Sequence, residues 1–135
     1  MKTWLGAGIT PIAIYKGKLY VLLGREASGK DKGKYSDFAG GVEPGDKSPK
    51  ETALREAYEE SMCFLGTKTE MKKKMKRITP DNATTFVLFI QYNENLPKLF
   101  ENVYKYIKLC GGNIKKGYLE KDTVKWFPVK QSQPR

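Results

Sequence analysis

Apolar and polar positions alternate from the first residues onward. AGITPIAIY at 7–15 is apolar and β-branched, KGK follows, and LYVLLG at 19–24 resumes the apolar pattern, so a two-stranded hairpin is expected. ASGKDKGK at 27–34 reads as a basic, glycine-bearing loop, and YSDFAG at 35–40 as a short extended segment running into Gly40 and Gly41. The period then changes. Ser48, Pro49 and Glu51 make a helix-start signal: the serine can accept an orphan N–H, proline suits the first helical position, and the glutamate can reach back. Good helix formers continue to about Ser61. KTEMKKKMKR at 68–77 suits helix and strand alike, whereas TTFVLFIQY at 84–92 predicts a strand. LPKLFENVYKYIKLC at 96–110 predicts a second helix, with Leu99, Val103, Tyr106 and Cys110 as its apolar stripe and Gly111-Gly112 as its stop. VKWFPV at 124–129 predicts a last strand and KQSQPR an irregular end. Strands before and after one central helix, without regular βαβ alternation, indicate an α+β fold on a mixed sheet.

Length and composition narrow the class. The chain of 135 residues, 39% apolar and 30% charged, is expected to form one globular domain over 1–135. No apolar run approaches the roughly 18–20 residues of a membrane span, and the first residues carry no sustained apolar block of a secretory signal. Cys63 and Cys110 make neither a disulfide framework nor a zinc site, so a cytoplasmic compartment is expected. A net charge of +10 attracts polyanions, whether phosphate-rich small molecules, RNA or DNA, without choosing among them. Its densest part, 68–77, reads equally as a solvated run or as a phosphate-contacting patch. The chain has no histidine, which excludes Ser-His and Cys-His nucleophile pairs, a histidine base and histidine-bound zinc. Hydrolytic chemistry here must run on carboxylates, lysines, a thiol or a hard metal held by oxygen.

The candidate chemistry lies in GGVEPGDKSPKETALREAYEES at 40–61. At about 100° per residue, Glu56, Glu59 and Glu60 fall within an arc of roughly 100° on the helix, while Ala53, Leu54, Ala57 and Tyr58 take other azimuths and can pack on a sheet. Like charges so placed repel by a few tenths of a kcal/mol per i,i+4 pair. Such a cluster is either a solvated face or a cation site, and spacing alone leaves both open. As a site it is oxygen-only and strongly anionic, which suits Mg²⁺ or Mn²⁺ with room for phosphate oxygens. A metal there would neutralise a diphosphate and acidify a bound water. Gly40 and Gly41 are expected to form a turn where backbone approaches a ligand closely.

This stretch resembles the Nudix box: glycine, five residues, glutamate, seven residues, Arg-Glu, an apolar residue, any residue, Glu-Glu, any residue, glycine. Gly41 begins it, Arg55-Glu56 stand at the required distance, Ala57 is the apolar position, and Glu59-Glu60 follow. Two positions depart from it. Lys47 stands at the first glutamate position, with Asp46 one residue earlier and able to serve if the alignment shifts. Met62 replaces the closing glycine, a position that usually favours a left-handed backbone, so methionine there either costs about 1 kcal/mol or shifts the turn.

The resemblance implies an α/β/α sandwich with a loop–helix–loop catalytic box, and Mg²⁺- or Mn²⁺-dependent hydrolysis of a nucleoside diphosphate linked to another group. It implies Glu56, Glu59 and Glu60 as metal ligands, Glu56 or a neighbouring carboxylate assisting water, Arg55 orienting the glutamates, and Gly40 and Gly41 shaping the turn. Glu43, Asp46 and Glu120 are candidate accessory acids; Arg25 and Lys34 are candidate phosphate contacts, and Trp126 a core residue or a base-stacking one. Nucleoside triphosphates, dinucleotide polyphosphates, RNA 5′ ends or caps, and diphosphoinositol polyphosphates are the expected substrate classes. A catalytically silent RNA- or nucleotide-binding module is the alternative, and a homodimer is left open.

Overall fold

A computed structural model describes residues 3–78 and 84–130 of the chain. The first two strands, β1 (Gly6–Tyr15) and β2 (Lys18–Glu26), form the expected hairpin. Lys16 and Gly17 link them with φ of 51° and 76°, the left-handed pair that a two-residue turn needs to follow the twist of its strands. Beyond their shared rungs β1 and β2 part. The segment 35–41 fills the fork: β3 (Tyr35–Ser36) pairs with β2, and β4 (Phe38–Gly41) pairs with β1. On the other side of β1 runs β6 (Thr85–Phe89), parallel to it, followed by the edge strand β5 (Lys76–Arg77). The last strand, β7 (Lys121–Pro128), lies antiparallel along β2. Gly40 and Gly41 thus belong to a strand and not to the expected turn.

Cross-strand register gathers the core on one face of this mixed sheet. Ile9 sits opposite both Phe38 and Phe86, and Leu22 opposite Trp126, and all five are buried. Over that face pack α1 (Pro49–Glu60) against β1 and β4, α3 (Leu96–Cys110) against β7, and the short α2 (Lys68–Lys74) between α1 and β6. Ile14, Leu19 and Phe89, which alternate with core positions, are exposed on the other face. The result is an α+β sandwich of one mixed sheet and three helices.

Two readings of the pattern change. The run 68–77 is helix and strand in succession. Thr67 caps α2 by accepting from the Glu70 N–H, Met71 and Met75 turn inward one helical turn apart, and Met75 is already extended as the chain enters β5. The buried stripe of α3 is Leu96, Phe100 and Tyr104, whereas Leu99, Tyr106 and Cys110 are exposed. Both stripes obey helical spacing and lie roughly 100° apart, so periodicity cannot choose between them. Packing does, because Phe100 meets the Phe64 ring at 5.7 Å and its aromatic area is the larger gain.

Met62 does take the left-handed conformation that its position demands, with φ of 50°, and Cys63 follows at 69°. Burying the Met62 side chain, worth about 1.5–3 kcal/mol, outweighs that strain. Among the described residues no helix is long and apolar enough to cross a membrane. Of the irregular end expected at 130–135, residues from 131 on lie outside those described.

Candidate metal centre

The helix that carries the acids starts as its sequence dictates. Ser48 is extended, its hydroxyl accepts from the Glu51 N–H at 3.2 Å, and Pro49 opens the helix. Glu51 reaches back one residue further than a capping box requires, accepting from the Lys47 N–H at 3.4 Å. The three glutamates in the last two turns of α1 are not solvated: Glu56, Glu59 and Glu60 are 8%, 5% and 2% exposed. Carboxylates in that setting need a specific partner each.

Arg55 supplies part of the answer. Its Nη1 donates to Glu56 Oε1 at 2.8 Å and its Nη2 to the Gly41 carbonyl at 2.9 Å. Its Nε and Nη2 grip both oxygens of Asp46, at 3.2 and 2.9 Å. Asp46 also accepts from the Thr52 hydroxyl at 2.8 Å and the Glu43 N–H at 2.9 Å. This saturation, Arg55 foremost, holds the Asp46 carboxyl well below the usual range. Asp46 therefore fills the place where Lys47 would have repelled the guanidinium. Glu43 joins from the loop, 3.0 Å from Arg55 Nη1, and remains half exposed.

The other acids converge on one another. Glu56, Glu60 and Glu120 offer oxygens that all lie within 4.8 Å of one another. Burial, then a hydrogen bond to Glu120, pushes the Glu60 carboxyl up to about 10, although Glu60 Oε1 accepts from the Ala39 N–H at 3.1 Å. Burial also raises Glu56, against the pull of Arg55. Gly40 makes room for this: a Cβ there would lie 2.3 Å from the Glu56 carboxyl carbon.

Glu120 comes in from the far end of the chain, between the 3-10 turn Lys116–Leu119 and β7. Its approach depends on a bulge. Arg25 pairs with Thr123 and Glu26 with Lys121, which leaves Asp122 as the extra residue and turns Lys121 onto the core face. Lys121, 1% exposed, lays its stem in the space a Gly24 Cβ would fill and donates to Glu26 Oε1 and Ser36 Oγ, each at 2.7 Å.

Glu59 is not part of the cluster. Its carboxylate pairs with Lys115 and lies against Gly117, where a Cβ would be 2.6 Å from Oε1. Helix spacing placed all three glutamates on one arc, but a partner far along the chain draws the middle one aside. Arg25 also lies apart, in an ion pair with Asp122 at 2.8 Å beside Tyr104 and Lys105 of α3. Lys34 lies 3.5 Å from Asp31. Trp126 is core, donating to the Asn93 carbonyl at 2.9 Å. Lys115 and Lys121, which both act on these acids, had no signal in the sequence beyond the proximity of Lys121 to Glu120.

Three crowded carboxylates, of which Glu56 and Glu60 are buried and pushed upward by that burial, suit a divalent cation: their oxygens are hard donors, and a cation offsets the repulsion among them. The residues present therefore fit Mg²⁺ or Mn²⁺.

The NUDIX domain model matches residues 5–135. Among solved structures, the chain is similar to a MutT/nudix family protein from Enterococcus faecalis, with TM-score 0.55, 15% identity, and 98% of this chain and 46% of that one covered. It is also similar to the NUDIX domain of Shewanella oneidensis NrtR complexed with ADP ribose, with TM-score 0.52, 13% identity, and 95% and 75% covered. The chain thus spans less than half the length of the Enterococcus protein. No curated protein matches it.

Proposed function

Because the chain belongs to the NUDIX domain family, we propose that residues 1–135 act as a divalent-metal-dependent hydrolase of phosphoric anhydride bonds. The observation that carries this reading is the convergence of Glu56, Glu60 and Glu120 within 4.8 Å. Those three, rather than Glu56, Glu59 and Glu60, are the proposed Mg²⁺ or Mn²⁺ ligands. When bound, the cation supplies charge neutralisation and a lowered pKa for water. The protein's own share is positioning and proton transfer. Arg55 fixes the Glu56 carboxyl, Gly40 gives it space, and the Ala39 N–H holds Glu60. Glu120, the least buried of the three, is the proposed acceptor of a proton from the attacking water. The net charge of +10 supports substrates carrying several phosphates, namely a nucleoside diphosphate linked to another group, a nucleoside triphosphate, a dinucleotide polyphosphate or an RNA 5′ end.

A second reading, a silent nucleotide-binding module, draws support from the internal cations: Lys115 pairs with Glu59, and the charge of Lys121 acts on Glu60. One experiment separates the two. The protein is given Mg²⁺ or Mn²⁺ and a panel of nucleoside triphosphates, ADP-ribose, dinucleotide polyphosphates, 5′-triphosphorylated RNA and diphosphoinositol polyphosphates, with products resolved by chromatography. Turnover that disappears in Glu60→Gln and Glu120→Gln while folding is kept supports the hydrolase. Nucleotide binding without turnover of any panel member supports the module.

A further inference from the structure

Half of the chain's net charge sits in ten residues, since 68–77 hold six cations and one carboxylate. The fold holds these charges in place. Met71 and Met75, 1% and 5% exposed, anchor α2 and its exit into β5, so Lys72, Lys73, Lys74, Lys76 and Arg77 all stand exposed. Within the run the ion pair present is an exposed one, Lys74 to Glu70 at 3.7 Å. A solvated surface gains nothing from such crowding, because like charges on adjacent rigid elements repel. β5 forms the sheet edge, and between it and the first turn of α1 lies a groove of about 640 Å³, floored by Met75 and Phe86 and bordered by Lys50, Lys76 and Arg77.

We propose that this α2–β5 face is a docking surface for the phosphodiester backbone of a nucleic acid strand. The chemistry that matches a row of fixed, solvent-facing cations is a row of phosphates, and α2 at about 10 Å is long enough to meet several. The face adjoins the acid cluster through α1, in which Lys50 precedes Glu56 by six residues, about 9 Å along the axis. The inference rests on charge and placement and does not depend on the hydrolase reading.

Fluorescence anisotropy tests it, using labelled single-stranded RNA and DNA 20-mers of one sequence with 5′-hydroxyl ends, in EDTA at about 50 mM salt. Such strands contain no anhydride and cannot be turned over by the proposed activity. Reversing Lys72, Lys73, Lys76 and Arg77 to Glu together is expected to weaken binding at least 30-fold. It should also flatten the slope of log affinity against log salt by about 3, at roughly 0.7 per phosphate contact. Reversing four exposed lysines elsewhere, Lys18, Lys30, Lys32 and Lys98, should cost less than 3-fold. Should the quadruple Glu variant unfold, the corresponding Gln variant carries the test, with about half the loss. Whichever strand binds more tightly identifies the source; equal binding leaves the shared backbone as the recognised feature. Equal losses in the two variants, wild-type affinity in the face variant, or no binding by the wild type would overturn the proposal. Glu60→Gln should bind the strands as the wild type does, and the face variant should still turn over a small anhydride substrate, so each reading can fail without the other.

Discussion

Asp46 and Glu60 stand at the two ends of α1, one just before it and one at its last residue, and both are almost sealed from solvent, at 6% and 2% exposed. Their chemistry is opposite. Asp46 lies far below the ordinary carboxylate range because Arg55, Thr52 and the Glu43 N–H fill its oxygens. Glu60 is pushed up to about 10, because burial and the hydrogen bond to Glu120 outweigh the opposing charge of Lys121. Burial therefore does not decide what a carboxylate is for; its neighbours do. One end of the helix is complete as a structural clamp. The other has the oxygen donor set of a cation site.

The contrast predicts opposite responses to removing each acid. Glu60→Gln is expected to cost turnover roughly a thousandfold, about 4 kcal/mol of barrier, in a steady-state assay on whichever panel substrate is hydrolysed. The same change should raise the metal-free melting temperature near pH 8, since the amide is neutral without the proton that Glu60 must take up on folding at that pH. Asp46→Ala should do the reverse, lowering stability by about 3 kcal/mol in urea titration because Arg55 loses its buried partner. If both substitutions destabilise the metal-free protein alike, the two ends are the same kind of site.

Gly40→Ala sharpens the contrast by moving one carboxylate without removing it. The atoms a Cβ would meet are the far end of the Glu56 side chain, so folding should change little while Glu56 leaves its position. Turnover is expected to fall about 100-fold, as for a displacement of the order of 1 Å in a catalytic group. An unchanged rate would show that Glu56 does not need this position.

The pH profile separates the two carboxyls by the sign of their slopes. A carboxyl with a raised folded value binds its proton more tightly in the folded state, so metal-free stability falls as pH rises from 4.5 towards about 10 through Glu60. A lowered folded value acts in the other direction, so the Asp46 contribution is lost as pH falls below 3.8. Melting curves across pH should therefore lose their alkaline slope in Glu60→Gln and their acid slope in Asp46→Asn. Divalent metal should remove the alkaline slope from the wild type.

Much of α1 was legible in the residues themselves. Ser48-Pro49 marked its start, Ser61 its end, and the 3.6-residue repeat placed Glu56 and Glu60 on one side. These features depend on contacts within one or two turns, and spacing encodes them directly. Three others did not follow. Glu59 turned to Lys115; Glu120, expected through the resemblance as an accessory acid, took its place in the cluster by way of a one-residue bulge; and α3 buried Phe100 instead of Leu99. Gly40 looked like a turn residue and proved to be a strand residue with a carboxyl resting on it.

Local spacing thus determined the helix, its caps and the acidic character of the site. Tertiary structure decided which acids meet and which charges stay outside, because those distances are set by strand register and packing between segments far apart in the chain. A shift of one residue in β7 reverses the face on which Lys121 lies, and periodicity within a single element carries no trace of it.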